Sequence, residues 1–190
     1  IETGAAFFEF IGMELVPYIE NTYRAGNFRV AVGHGETANF INYYVLKPQP
    51  LFQAYISISP ELAPNMIDYL PEVLSKIQSK IFYYLANTNN DVKSIKRMTE
   101  ALNTDINAVD NKNVVYNFDS FDGPSHYSVP THAIPSAIES IFQVFQPISK
   151  KEYKDVILEL EISPVLYLQE KYEAISDLFG VEKKVLINDF

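Results

Sequence analysis

The chain has 190 residues, a length that suits one domain with a sizeable core and is too short for two large domains. Hydrophobic residues make up 47% and charged residues 21%, which excludes a disordered chain, and the lack of Cys excludes disulfides and thiolate metal sites. The formal net charge of −9 repels phosphate backbones, so we expect no nucleic-acid partner. Apolar runs stop short of the ~18 to 20 residues that span a bilayer, so we expect no membrane span.

The first two thirds of the chain alternate between helical and strand patterns. Apolar residues three or four apart predict an amphipathic helix over residues 9–23. The predicted strands then cover residues 28–32, 52–59, 81–86 and 114–118, and the predicted helices cover residues 38–46, 65–79, 92–102 and 135–144. We expect Pro71 to break the second of these helices, and the polar segments 87–91 and 119–124 to be loops. This alternation predicts a parallel sheet covered on both faces.

The chain changes character after Pro147. Ser163 is a good N-cap, Pro164 suits the first helical position, and Gly180 is placed to end a helix. Between them, five apolar residues follow one another at spacings of three or four: Val165, Leu168, Tyr172, Ile175 and Phe179. We therefore predict a helical extension over residues 149–190, whose apolar stripe packs on the preceding domain or docks with a protein partner or a second copy of the chain.

A tight turn follows the first predicted strand. The segment Gly33-His34-Gly35-Glu36-Thr37-Ala38 joins that strand to the next helix, and this is the context in which the nucleophile elbow of a hydrolase occurs. The elbow holds its nucleophile at an unfavourable backbone angle so that the hydroxyl stands clear of the sheet. Gly35, at the central position, has no hydroxyl to present.

Several segments of this sequence resemble the enterochelin-esterase-like family of α/β-hydrolases over residues 5–146. FFEFIGMELVPYIENTYR is similar to the helix before the elbow, FRVAVGH to the strand that opens the Gly-His-Ser-x-Gly-Gly motif, and LFQAYISISPEL to the next strand. The resemblance implies an α/β-hydrolase three-layer sandwich with a mostly parallel sheet, of which residues 1–148 form the C-terminal part. It also implies that the first strands of this fold belong to a segment upstream of Ile1. The given sequence itself does not open with a signal-peptide pattern.

The resemblance also assigns the site residues. Gly35 takes the nucleophile position and Asp91 the acid position, and His126, within the segment Ser125 to Val129, takes the position of the base. The backbone N–H of Glu36 would be one oxyanion-hole donor, and the second would lie in the upstream segment. In this family glycines stand where this chain has Thr37 and Ala38, which favours natural divergence over an engineered change.

Each of these residues also has a simpler interpretation. Asp91 could cap the following helix, Asp119 and Asp122 compete with it as the acid, and His126 on sequence alone is a solvated loop histidine. We interpret His34 as a packing residue, and Thr37 as unable to replace the nucleophile because it lies inside the helix. We expect no cofactor and no metal, because one candidate set lacks the spacing of a known metal site: His34, Glu36, Asp91 and His126.

Together these features predict an esterase-like domain whose own ester cleavage is impaired or lost, and which binds a small ester or acyl ligand. One alternative is an active serine esterase, of ester or siderophore-ester type, that carries an inactivating Ser-to-Gly change at Gly35. Another is a protein-interaction module that uses the C-terminal helices. The resemblance weakly favours a periplasmic or extracellular protein, and the sequence leaves the compartment and the oligomeric state open.

Overall fold

The N-terminal helix is longer than its apolar pattern predicts. The computed structural model describes residues 2–159 and 163–181. Helix α1 (Glu2–Phe10) continues through a π-helical turn (Ile11–Leu15) into α2 (Val16–Thr22). The side chain of Arg29 ties the end of this segment to the sheet, because its guanidinium pairs with Glu20 at 2.8 Å and donates to the carbonyl of Leu51 at 2.7 Å.

Four parallel strands form one sheet. These are β1 (Val30–His34), β2 (Ala54–Ile58), β3 (Ile81–Asn90) and β4 (Val114–Ser125), and their order in the sheet is β1-β2-β3-β4. The helices that alternate with them are α3 (Glu36–Val45), α4 (Met66–Lys76), α5 (Lys93–Asn107) and α6 (Pro130–Ile141). The predicted parallel α/β architecture is confirmed.

The strands are covered on both faces, and their side chains therefore divide between two cores. Tyr55, Tyr83 and Leu85 face α3, α4 and α5, where Tyr44, Leu70 and Leu102 are buried. Alternate residues point to the opposite face, where Ile56, Phe82 and Tyr84 pack against α6 and the C-terminal helix. The result is a three-layer sandwich.

Pro71 does not break its helix, so this prediction from the sequence is wrong. It lies inside α4, which runs from Met66 to Lys76. A proline removes one backbone hydrogen bond and crowds the preceding turn. Here Leu70 and Leu74, both completely buried, hold the helix against the sheet on either side of that defect.

Most residues of the two polar segments predicted as loops, 87–91 and 119–124, belong to strands instead. Residues 87–90 belong to β3 and residues 119–125 to β4, and the two strands pair across this extension, Asn87 with Ser120 and Thr88 with Phe121. Thr88 Oγ1 donates to the carbonyl of Pro124 at 2.6 Å, so this buried hydroxyl is satisfied within the sheet. The last helix of the domain also begins earlier than predicted, at Pro130, because proline is accepted at a first helical position.

The C-terminal helices pack on the domain. After a short 3₁₀ turn (Gln143–Phe145), α7 (Lys150–Glu152) continues as a π-helical segment (Tyr153–Ile157), and α8 runs from Pro164 to Phe179. Ser163 accepts the N–H of Leu166 and Gly180 ends α8 at φ 65°, which confirms both predicted caps. Four of the five residues in the apolar stripe of α8 are buried against residues of this chain: Leu168, Tyr172, Ile175 and Phe179, whose ring centroid lies 4.4 Å from that of Phe28. The fifth, Val165, is 49% exposed. The remainder of the predicted extension, residues 160–162 and 182–190, lies outside the described residues.

Candidate active site

The turn between β1 and α3 holds Gly35 in an unfavourable backbone conformation. Gly35 has φ 59° and ψ −123°, a conformation that side-chain-bearing residues rarely adopt. Its N–H donates to Ile58 at 3.0 Å, and its carbonyl accepts the N–H of Glu61 at 3.1 Å. These bonds attach the turn to the end of β2.

Gly33 allows the strand and helix to approach closely. A Cβ on Gly33 would lie 2.4 Å from the carbonyl oxygen of Thr37 and 2.6 Å from the Cα of Ala38. Ala38 itself is completely buried in this contact. The close approach is therefore made by the glycine that precedes the turn, and Thr37 and Ala38 fit in the positions where the resembled family has glycines.

His126 and Asp91 meet at the carboxyl edge of the sheet. Asp91 follows β3 and His126 follows β4, and parallel strands bring their carboxyl ends to one edge. The Nδ1 of His126 lies 2.7 Å from Asp91 Oδ1, the side chain of Asp91 is fully buried, and that of His126 is 14% exposed. Because an ionised carboxylate can only accept, the imidazole donates from Nδ1 and keeps the lone pair of Nε2 free.

Asp91 is fixed by two further hydrogen bonds. Ser59 Oγ donates to Asp91 Oδ2 at 2.5 Å, and the N–H of Val92 donates to Oδ1 at 2.9 Å. Ser59 is completely buried at φ 43°, in the left-handed region. The structure gives Val92 as the N-cap residue of α5, so Asp91 does not cap this helix.

Gly35 leaves room beside the imidazole. A Cβ on Gly35 would lie 3.9 Å from His126 Nε2 and 3.4 Å from Glu61 Oε1. The three residues that the resemblance assigned, Gly35, Asp91 and His126, are thus brought together. Thr37 is not available to replace the nucleophile, because its hydroxyl donates to the carbonyl of His34 at 2.9 Å and accepts the N–H of the same residue.

His34 lies beside His126 instead of in the core. Their ring centroids are 4.4 Å apart, and His34 Nε2 is buried without a hydrogen-bond partner among the described residues. Burial, followed by the electrostatic influence of the neighbouring His126, holds the pKa of His34 below its usual value of 6.5. A neutral His34 is therefore favoured next to the site.

The competing acids are not at the site. Asp119 accepts hydrogen bonds from Tyr84 and from Ser136 on the α6 side of the sheet, and Asp122 is exposed on β4. Within the described ranges, no three His, Asp or Glu side chains are grouped so as to hold a metal ion. In the same ranges, no helix has the length and apolar character needed to cross a lipid bilayer.

Two residues at the site were not found by sequence reasoning. The sequence pattern marks Ser59 only as the end of a strand and indicates no role for Glu61. Both follow β2 at the edge where ligands of parallel sheets bind, and that position is the one signal that could have singled them out.

Neither models of known protein families nor curated protein sequences match this chain. Among solved structures, it is similar to an uncharacterised protein from Capnocytophaga ochracea, with 29% identity and a TM-score of 0.88 over 100% of this chain and 53% of that one. An IroE-like serine hydrolase from Shewanella oneidensis matches with 22% identity and a TM-score of 0.73, over 94% of this chain and 56% of that chain. The siderophore hydrolase EstA from Aspergillus nidulans matches with 15% identity and a TM-score of 0.59, over 75% and 57% of the two chains.

This chain therefore spans little more than half the length of each of these proteins. The similarity to the first protein extends over the whole of this chain, including the C-terminal helices. The chain has an α/β-hydrolase fold, of which it contains four parallel strands and the helices on both faces.

Proposed function

We propose that this chain is part of an enterochelin-esterase-like hydrolase in which serine-dependent ester cleavage is impaired. The observation that carries the proposal is the hydrogen-bonded pair of Asp91 and His126 beside Gly35. A serine at position 35 would begin 3.9 Å from Nε2, within reach of proton transfer from its hydroxyl. Glycine supplies no hydroxyl, so the pair has no side-chain nucleophile to deprotonate.

The ligand we propose is a small ester or acyl compound. Serine and siderophore hydrolases among the structural neighbours support this class. The N–H of Glu36, at the first position of α3, is the proposed donor to the carbonyl oxygen of the ligand. A second donor and part of the pocket would come from the portion of the protein that this chain does not contain.

Restoring the hydroxyl tests the proposal. In the full-length protein, we expect a fluorophosphonate probe to leave the wild type unlabelled and to label Gly35→Ser. We also expect Gly35→Ser to cleave short 4-nitrophenyl esters only weakly, because the carboxylate of Glu61 lies 3.4 Å from the position of the added Cβ and competes with His126 for the hydroxyl. This activity should be lost when His126→Ala is added. Labelling of a serine in the wild type would contradict the proposal, and so would a Gly35→Ser variant that stays unlabelled while correctly folded.

The intact Asp91–His126 pair also supports a second candidate function. An active serine esterase with an inactivating change at position 35 would retain this pair and the backbone geometry of Gly35 unaltered. The native coding sequence separates the two proposals. A serine codon at this position would establish the second, and a glycine codon would exclude it.

A further inference from the structure

We infer that the space beside Gly35 binds a water molecule between Glu61 and His126, and that this water is the nucleophile of a slow, non-covalent ester hydrolysis. The inference rests on the proposed function, because it uses the same site and the same class of ligand. It replaces the missing serine hydroxyl with solvent.

The first argument is the room that glycine leaves. Apart from Gly35 and its chain neighbours, only two heavy atoms of the described residues lie within 4 Å of the Cβ position, Glu61 Oε1 at 3.4 Å and His126 Nε2 at 3.9 Å. Gly35 itself is buried. The missing side chain therefore leaves the space beyond the Cα of Gly35 bordered by these two polar atoms, one of them on Glu61, which is exposed.

The second argument is the hydrogen-bonding character of these two atoms. His126 donates from Nδ1 to Asp91, so its Nε2 can accept, and the carboxylate of Glu61 can only accept. A water that donates one hydrogen to each has both hydrogens engaged and turns its lone pairs away from them. An oxygen held in this way is oriented to attack a ligand.

The surroundings favour a fixed imidazole. Asp91 is held by Ser59 and by the N–H of Val92, so the acceptor for Nδ1 cannot move freely. The side chain of His126 is 14% exposed, and the ring of His34 packs beside it at 4.4 Å. Nε2 therefore stays directed at the space next to Gly35.

The reaction needs only water as a co-reactant. The water oxygen forms a bond to the ester carbonyl carbon while His126 Nε2 takes its proton, and the carbonyl oxygen becomes an oxyanion. The tetrahedral intermediate then breaks its bond to the alcohol oxygen, which receives the proton from His126. The products are a carboxylic acid and an alcohol, and no acyl group is attached to the protein at any point.

The test measures 4-nitrophenyl acetate hydrolysis by the full-length protein. We expect linear release of 4-nitrophenolate without an initial burst, and a fall of about 10²-fold or more in kcat/KM in His126→Ala, since general-base catalysis contributes at least this factor. Glu61→Gln removes one charged acceptor and should cost about tenfold. Gly35→Ala adds a methyl group 3.9 Å from His126 Nε2, which crowds the proposed water, and should lower the rate as far as His126→Ala does.

Asp122→Asn is the matched control, because it neutralises an exposed carboxylate at the same end of β4 and should leave the rate unchanged. Thermal unfolding shows whether each variant is folded, and Glu61→Gln remains informative if alanine at position 35 is not tolerated. A burst of one equivalent, or a wild-type rate equal to that of His126→Ala, would overturn the inference.

Binding of the amide analogue 4-nitroacetanilide, measured by calorimetry, separates this inference from the proposed function. If the analogue binds and hydrolysis does not depend on His126, the inference fails and the ligand-binding proposal stands. If the analogue does not bind and no hydrolysis is seen, both fail.

Discussion

At the scale of single residues, Gly33 is the position that tolerates no side chain. Its Cβ would lie 2.4 to 2.6 Å from backbone atoms of Thr37 and Ala38, which cannot move without shifting α3. We expect Gly33→Ala to lower the free energy of unfolding by about 1–3 kcal/mol or more. Gly26→Ala is the control, because no atom lies within 4 Å of its Cβ position, and calorimetric melting temperatures that fall equally in both variants would refute this account.

The role of Ser59 follows from its hydrogen bond to Asp91. A buried serine at φ 43° is strained, and its hydroxyl is bonded to the carboxylate that holds His126. In the Gly35→Ser protein, we expect Ser59→Ala to lower kcat/KM by roughly 10-fold to 100-fold, since a hydrogen bond to a charged group contributes about 1.5–3 kcal/mol.

Two further variants isolate the effect of this hydrogen bond. Ser59→Gly relieves the backbone strain but also removes the hydroxyl, so it should be impaired to a similar degree. Ser75→Ala, which removes an exposed hydroxyl on α4, should have no effect. Activity that recovers fully in Ser59→Gly would assign the effect to strain and not to the hydrogen bond.

His34 makes stability depend on pH. Its pKa is lowered by burial in the folded state, so the unfolded chain binds a proton at a higher pH than the folded protein does. Stability is therefore complete above about pH 6.5 and falls as the pH drops below that value. We expect the decrease in melting temperature between pH 7.5 and 5.5 to be smaller in His34→Asn than in the wild type, when each protein is first compared at pH 8. An equal decrease in the two proteins would contradict this account.

At the scale of elements, α8 belongs to the core. Phe179, 3% exposed, packs its ring 4.4 Å from Phe28, 4.8 Å from Phe145 and 5.2 Å from Phe142. Four of the five stripe residues, for which the sequence allowed packing on the domain or docking with a partner, are therefore covered by the chain's own residues. Val165, the first of the five, is half exposed and belongs to none of the core clusters of the described residues.

Truncation of Phe179 tests this assignment. We expect Phe179→Ala to cost about 3–5 kcal/mol in the free energy of unfolding, because it removes a buried aromatic side chain. Val165→Ala, on the exposed side of the same helix, should cost far less. Denaturant unfolding that shows similar losses in the two variants would mean that α8 contributes little to the core.

The elements also show where a sequence pattern is sufficient and where it is not. The alternation of strands and helices was predictable because buried strands and amphipathic helices differ in their spacing of apolar residues. The extension of β3 through Asn87 was not, since its polar residues resemble a loop until β4 is present beside them. The prediction that Pro71 breaks its helix was wrong for a similar reason. The burial of Leu70 and Leu74 outweighs the low helix propensity of proline.

At the scale of the whole molecule, the site joins residues that are distant in the sequence. Gly35, Asp91 and His126 were assigned through the resemblance, since no spacing rule connects the ends of β1, β3 and β4. Their contact follows from the parallel sheet, which gathers the strand ends at one edge. Ser59 and Glu61 were missed because their roles depend on neighbours that only the folded chain supplies.

The order of the strands also has a consequence for how this protein is made. Each strand lies next to the one synthesised just before it, so every new βα unit meets a partner that has already left the ribosome. Contacts between neighbouring strands thus need the closure of only one crossover at a time, which keeps the loop-closure entropy of each step small. At ~5–20 residues per second, synthesis is slow enough for the sheet to grow strand by strand as the chain emerges.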